Sequence, residues 1–155
     1  MRLEREIEFR LQTRSEEEAQ RLLASPLEAL GRLQVFRDLS LEGNELSGAL
    51  VAPFAILGEV RFPFRARFRS AGSDAWLEPL PPDDPASDLW AELEGQARRE
   101  RADVAYRARI ALHIHLPEGE KWGGKAFRKL AEAAFTRTLT RTLDLLGNPT
   151  QPTKS

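Results

Sequence analysis

The stretch EVRFPFRARFRSAG, residues 59–72, nearly alternates arginine with phenylalanine. Cations interleaved with aromatic rings make a nucleic-acid surface, where the charges track phosphates and the rings stack on bases. The same spacing is the two-residue period of a β-strand, which puts Val60, Phe62, Phe64, Ala66 and Phe68 on one face and Arg61, Arg65, Arg67 and Arg69 on the other. The rest of the chain decides between them. Formal net charge is -1 over 155 residues, with 41% apolar and 30% charged. A protein that lives on phosphate contacts carries a basic excess, and this one has none. The strand reading therefore leads: phenylalanines turned inward, arginines turned to water and to acidic neighbours.

Working outward, the same period recurs. Leu3, Ile7, Phe9 and Leu11 alternate with Glu4, Glu6, Glu8 and Arg10. From 104 to 117, Val104, Tyr106, Ala108, Ile110, Leu112, Ile114 and Leu116 alternate with a face holding Arg107, Arg109, His113 and His115. Strands are also expected at 35–42 and 45–54, joined by the tight turn Gly43-Asn44, and at 74–80. Pro53 should end its strand or sit at an edge. WAELEGQARRE, 90–100, has helical propensity but lies between strand signals with Gly95 in its middle, and is read as a strand. Pairing the first strand with the last would set Glu4, Glu6 and Glu8 across from Arg107 and Arg109, and Glu45 or Glu78 would face the 59–69 strand.

Helices are predicted in three places. Ser15 with Glu18 forms a capping box for a helix to about Ala24. Ser25-Pro26 starts a second, carrying Leu27, Leu30 and Leu33. From about Glu120 to Leu146 no proline interrupts, and Phe127, Leu130, Ala131, Ala134, Phe135, Thr138, Leu139 and Leu143 recur at spacings of three and four. Gly147-Asn148-Pro149 stops it. One domain over 1–147 is expected, with 148–155 a disordered tail.

This order of strand, two short helices, about six antiparallel strands and one long C-terminal helix resembles the helix-grip fold of the START-like (SRPBCC) superfamily, an α+β class. The resemblance spans Leu3 to Leu146 and rests on element order, including SEEEAQRLL, the Gly43-Asn44 hairpin and KAFRKLAEAAFTRTL. It implies a cavity between the curved sheet and the last helix that takes a hydrophobic or amphipathic molecule such as a lipid, quinone or polyketide, for carriage, sequestration or sensing. Phe62, Phe64, Phe68 and Tyr106 would line it, Phe135 and Leu139 would form its lid, Phe54 would flank the entrance and Trp122 would cap a mouth. The phenylalanines have a plainer reading too, since burying each ring contributes roughly 1.5–3 kcal/mol without any ligand. Two alternatives share the fold: a cyclase or aromatase, which needs titratable groups inside, and an interaction module whose interior is filled.

Other signals are thin. No cysteine is present, which excludes disulfide and thiolate chemistry. MRLEREIEFR lacks a signal-peptide core and no apolar run approaches membrane-spanning length, so the cytoplasm is expected. His113-x-His115 lacks a third ligand, Asp83, Asp84 and Asp88 lack calcium-loop spacing, and GEKWGGK, 119–125, lacks phosphate-loop spacing. No catalytic residue, metal or cofactor is assigned. Partners are expected to be a small apolar ligand but no nucleic acid, with at most transient membrane contact through the apolar segment around Phe54, Ile56 and Leu57. The protein is expected to be a monomer or homodimer.

Overall fold

Alternation and turn chemistry build a single sheet. In the computed structural model, which describes residues 1–54, 57–115 and 124–147 and the backbone of 153–154, the chain runs β1 (Arg2–Gln12), α1 (Glu16–Leu23), α2 (Pro26–Gly31), β2 (Phe36–Glu42), β3 (Glu45–Phe54), β4 (Gly58–Ala71), β5 (Asp74–Leu80), β6 (Leu89–Glu100), β7 (Asp103–Ile114), α3 (Lys125–Leu145) and a two-residue β8 (Thr153–Lys154). The sheet order is β2-β3-β4-β5-β6-β7-β1-β8, antiparallel throughout. EVRFPFRARFRSAG is β4, and WAELEGQARRE lies in β6.

β1 returns to pair with β7 over its whole length, from Arg2 beside His113 to Gln12 beside Asp103. This puts α1 and α2 over one end of the concave face. α3 lies over the other, touching both β1 and β3. Those two strands are separated in the sheet by four others, so one helix reaches both only because the twisted sheet curls around it. The apolar face is thereby covered, in the helix-grip arrangement. Phe62, Phe135, Leu139 and Leu143 reach 0% exposure in its core.

Local signals act as expected at the helix starts. The Ser15 hydroxyl accepts from Glu18 N at 3.1 Å, while the Glu18 carboxylate accepts from Arg14 N at 3.0 Å. Ser25 Oγ accepts from Glu28 N at 3.3 Å. Two leucines differ from the helical stripes. Leu27 points away from the core and Leu130 is 53% exposed, because each lies one step around its helix from the residues that meet the sheet. Pro53 does not end β3; its side chain is exposed and the strand continues to Phe54. Phe54 and Val60 are buried strand residues, whereas Ile56 and Trp122 lie outside the described residues.

Arg5 sits on the inward face of β1 and is only 7% exposed. Its Nε donates to Thr136 Oγ1 of α3 at 3.2 Å and its Nη1 to the Glu4 carbonyl at 2.7 Å, a polar tie between first strand and last helix.

One glycine is required by close approach. β2 is irregular between Arg37 and Ser40, with Asp38 at φ 55°, and this folds Leu39 over β3. A Cβ on Gly48 would lie 2.9 Å from Leu39 Cδ2, 3.0 Å from the Arg37 carbonyl and 3.3 Å from Phe64 Cε1. Gly48→Ala is therefore expected to destabilise the fold by about 1–3 kcal/mol, as overpacking does. Urea denaturation with an unchanged slope and a lower midpoint would register it; an unchanged midpoint would refute the contact.

Candidate functional site

Small side chains open a gap in the concave face under α1 and α2. On the inward positions of β5, β6 and β7 stand Ala75, Gly95, Ala97 and Ala108. Adjacent pairing brings them together: Ala75 is beside Ala97, Leu77 beside Gly95, and Gly95 beside Ala108. Above them lie Leu23, Pro26, Ala29 and Leu30 of α1 and α2, and at the sides Phe9, Phe68, Leu77, Leu93 and Tyr106. The result is an apolar cavity of about 50 Å³. A single water needs roughly 10–15 Å³ on this scale, so the space takes a ring or a chain end rather than an entire lipid. It lies under α1 and α2, with no α3 residue in its wall.

Tyr106 gives the cavity its polar feature. Its ring stacks on Phe9 of the paired strand, with centroids 4.9 Å apart and an interplanar angle of 8°. Its hydroxyl is buried without a hydrogen-bond partner, where a satisfied polar group is the rule. Burial pushes the phenol pKa well above its ordinary value; the Arg32 charge lowers it and Glu28 raises it, both more weakly. The hydroxyl thus stays protonated at neutral pH, able to donate to an acceptor. Arg107, also in the wall, turns its guanidinium to Glu8 at 3.0 Å.

The residues expected to line one pocket fall in three places. Phe68 and Tyr106 border the cavity. Phe62, Phe64, Phe135 and Leu139 pack in the core. Phe54 lies at the opposite end of the sheet, in a groove of about 530 Å³ with Leu57, Leu89, Ile114 and Phe127. Phe9, Leu30 and Gly95 were missed by sequence reasoning. The available signal was the run of small residues at inward strand positions, legible only once the strands are aligned.

The outward face is a lattice of opposite charges. Arg107 meets Glu8, and Arg109 meets Glu6 at 3.3 Å, Glu4 at 3.8 Å and Glu94 at 3.8 Å. Along β4, Arg61 pairs with Asp38, Arg65 with Glu45 at 2.6 Å and Asp83 at 3.1 Å, and Arg69 with Glu78 at 2.8 Å. Arg69 also lies 5.3 Å from the Trp76 ring centroid. His113 stacks on Trp90 at 3.8 Å, and its Nε2 is 2.9 Å from Glu92, so Glu92 and Glu94 both belong to this face. Among the described residues no group of histidines and carboxylates has metal-site geometry, and no helix is long and apolar enough to cross a membrane.

A curled antiparallel sheet gripped by a C-terminal helix, with two short helices after the first strand, defines the START-like helix-grip class. Within it the chain belongs to the family DUF3809, described as a protein of unknown function, whose model matches residues 8–144. No curated protein matches the chain. Among solved structures it is similar to TTHA0849 from Thermus thermophilus, with 20% identity, TM-score 0.51, and coverage of 92% of this chain and 96% of that one. It is also similar to the Zhui aromatase/cyclase from Streptomyces sp. R1128, with 14% identity, TM-score 0.53, and coverage of 94% and 93%. A START superfamily protein from Mycobacterium smegmatis matches with 9% identity, TM-score 0.45, and coverage of 90% and 94%. At 20% and 14% identity, the first two likenesses speak to the fold and not to the chemistry.

Tyr106 is the one tyrosine in the chain, so tyrosinate absorbance near the red edge of the ultraviolet band reads it alone. With the folded-state value raised above the ordinary one of about 10, the unfolded chain loses this proton first. Stability contributed by the buried phenol is complete below about pH 10 and is lost as pH rises beyond it. The expected result is a native protein without tyrosinate absorbance at about pH 10–11 and an alkaline loss of stability that Tyr106→Phe removes. Ordinary titration of the folded protein near pH 10 would contradict the burial.

Proposed function

We propose that the protein binds a small, uncharged, predominantly apolar molecule carrying one hydrogen-bond acceptor, and acts as a cytoplasmic carrier or sensor of it. The observation that carries this reading is the unpartnered Tyr106 hydroxyl at the wall of the apolar cavity. A ligand carbonyl there would satisfy the phenol, while its ring or chain would lie among Phe9, Phe68, Leu77 and Leu93. A carboxylate or phosphate is disfavoured, because among the described residues the cations near the site, Arg107 and Arg32, are already paired with Glu8 and Glu28 and do not offset the desolvation of an anion. A quinone, aromatic ketone or polyketide-like ring fits this description better than a long acyl chain. Binding and holding, rather than proton transfer, suits a lone phenol that stays protonated at neutral pH.

The test uses neutral probes in matched pairs: acetophenone against ethylbenzene, and menadione against methylnaphthalene. Titration calorimetry is expected to find tighter binding of each carbonyl member. Tyr106→Phe should erase that preference, by about tenfold for one hydrogen bond in a dry site, without abolishing binding of the hydrocarbons. Gly95→Val should fill the cavity. A Cβ at Gly95 meets Leu77 at an ordinary 3.7 Å, so the variant should retain its thermal midpoint and lose binding of both probe types. No binding by wild type, or undiminished binding by Gly95→Val, would defeat the proposal. Native mass spectrometry of protein purified from its own host would identify the natural ligand.

A further inference from the structure

We propose, on the reading that the cavity is a binding site, that α1 and α2 form a hinged roof over it, which lifts from the sheet as one unit to admit a ligand and is latched by the Gln20 side chain. The Tyr106 hydroxyl is buried as well as unpartnered, so an acceptor reaches it only when a wall moves. The sheet walls are fixed. β7, which carries Tyr106, is paired from Asp103 to His113 with β1 and from Asp103 to Ile114 with β6. Glu28 of α2 and Arg32 at its C-cap both act on the phenol, which places α2 near the hydroxyl. The wall free to move is therefore the helical one.

The attachments of this helical segment are unevenly placed. Its two ends are fixed. The Thr13 N–H and hydroxyl both donate to the Ala102 carbonyl, at 2.9 and 2.6 Å, and the Val35 carbonyl accepts from Val51 N at 2.9 Å. Between these ends, the polar ties to the sheet gather at one point. Gln20 Nε2 donates to the Gly72 carbonyl of the β4–β5 turn at 2.9 Å, and Gln20 Oε1 accepts from Arg99 Nε of β6 at 2.8 Å. Arg99 is itself anchored, its N–H donating to the Ser73 carbonyl at 2.9 Å, and it lies 4.0 Å from Glu16. Among the described residues α2 makes no hydrogen bond or ion pair to the sheet. Glu28 N bonds Ser25, and the Glu28 carboxylate meets Arg32 at 3.5 Å, both within the helical segment. Elsewhere apolar contact holds the roof, through Ala19, Leu22, Leu23, Pro26, Ala29 and Leu30. Over the cavity that contact is missing, because a void offers no partner atoms. A segment with fixed ends, one polar tie and an under-packed middle opens more readily than the ladders around it.

Hydrogen–deuterium exchange of the ligand-free chain and the binding kinetics of menadione test this separately. In wild type, the amides of α1 and α2 should exchange together and faster than those of β1 and β7. Gln20→Ala should speed exchange in both helices about tenfold, the effect of losing two hydrogen bonds, and leave β1 and β7 unchanged. Gln20 is exposed and alanine is the better helix former, so the loosening would reflect the lost latch and not a weakened helix. Glu17→Ala, exposed on the same helix, should leave exchange at the wild-type rate. Menadione binding is followed by quenching of tryptophan fluorescence, Trp76 lying at the cavity wall. It should enter and leave faster in Gln20→Ala, with Kd unchanged because free and occupied closed states lose the same latch. Exchange of α1 and α2 only at the rate of β7, or exchange in Gln20→Ala equal to wild type, would overturn the proposal. So would menadione rates that stay fixed while the helices open faster, since the ligand would then enter elsewhere. If the helices open as expected and neither menadione nor acetophenone binds, the roof stands and the reading of the cavity as a binding site fails.

Discussion

The register between β1 and β7 supports the rest of the structure. Leu3 lies beside Leu112, Ile7 beside Ala108 and Phe9 beside Tyr106, so residues about a hundred positions apart in sequence share one apolar row. A slip of one residue would turn Glu4, Glu6 and Glu8 inward and leave Leu3, Ile7 and Phe9 in water. It would also part Phe9 from Tyr106. On the other face the same register sets Glu6 beside Arg109 and Glu8 beside Arg107, so charge and packing agree on one alignment. Because β1 is seated there, α1 and α2 emerge over the concave face and roof the cavity. Such long-range pairing must overcome loop-closure entropy before it is rewarded.

Most of the architecture was legible because strand alternation is strict where one face is buried. EVRFPFRARFRSAG illustrates this: its phenylalanines and arginines never act together, and each set answers to a different side of β4. The turn at Gly43-Asn44 and both serine caps were likewise local signals. What could not be read depends on contacts between distant segments. Arg5 interrupts the apolar row of β1, and only the position of Thr136 on α3 explains how it is tolerated there. Leu27 and Leu130 fit their helical stripes by spacing yet face outward, because the angle at which a helix meets the sheet is not written in its period. Gly48 looks like an indifferent residue in a strand until Leu39 is seen folded over it.

The candidate site was legible only in part for the same reason. Phe68 and Tyr106 belong to the strand rows from which a pocket was inferred, but Phe62 belongs to the same row as Phe68 and is simply core, as Phe135 is in α3. Large residues announce burial and say nothing about emptiness. The cavity is made by absences at Ala75, Gly95, Ala97 and Ala108, which lie on three strands and become neighbours only through the sheet. Where the sheet meets the middle of α3, Phe62, Phe135, Leu139 and Leu143 fill the space; where it meets α1 and α2, small residues face Ala29 and Pro26 and room is left.

The irregularity in β2 has a bearing on how the molecule behaves in a crowd. β2 closes one side of the sheet, and an open strand there is a template onto which another chain can add. Between Arg37 and Ser40 the pairing shifts, and Asp38 takes a left-handed backbone conformation that no regular strand shares. An incoming segment would find its hydrogen-bonding row broken near the middle and a carboxylate at the break. The kink that presses Leu39 onto Gly48 thus also blunts the sheet's outer margin against edge-to-edge growth, making one local distortion serve both packing and solubility.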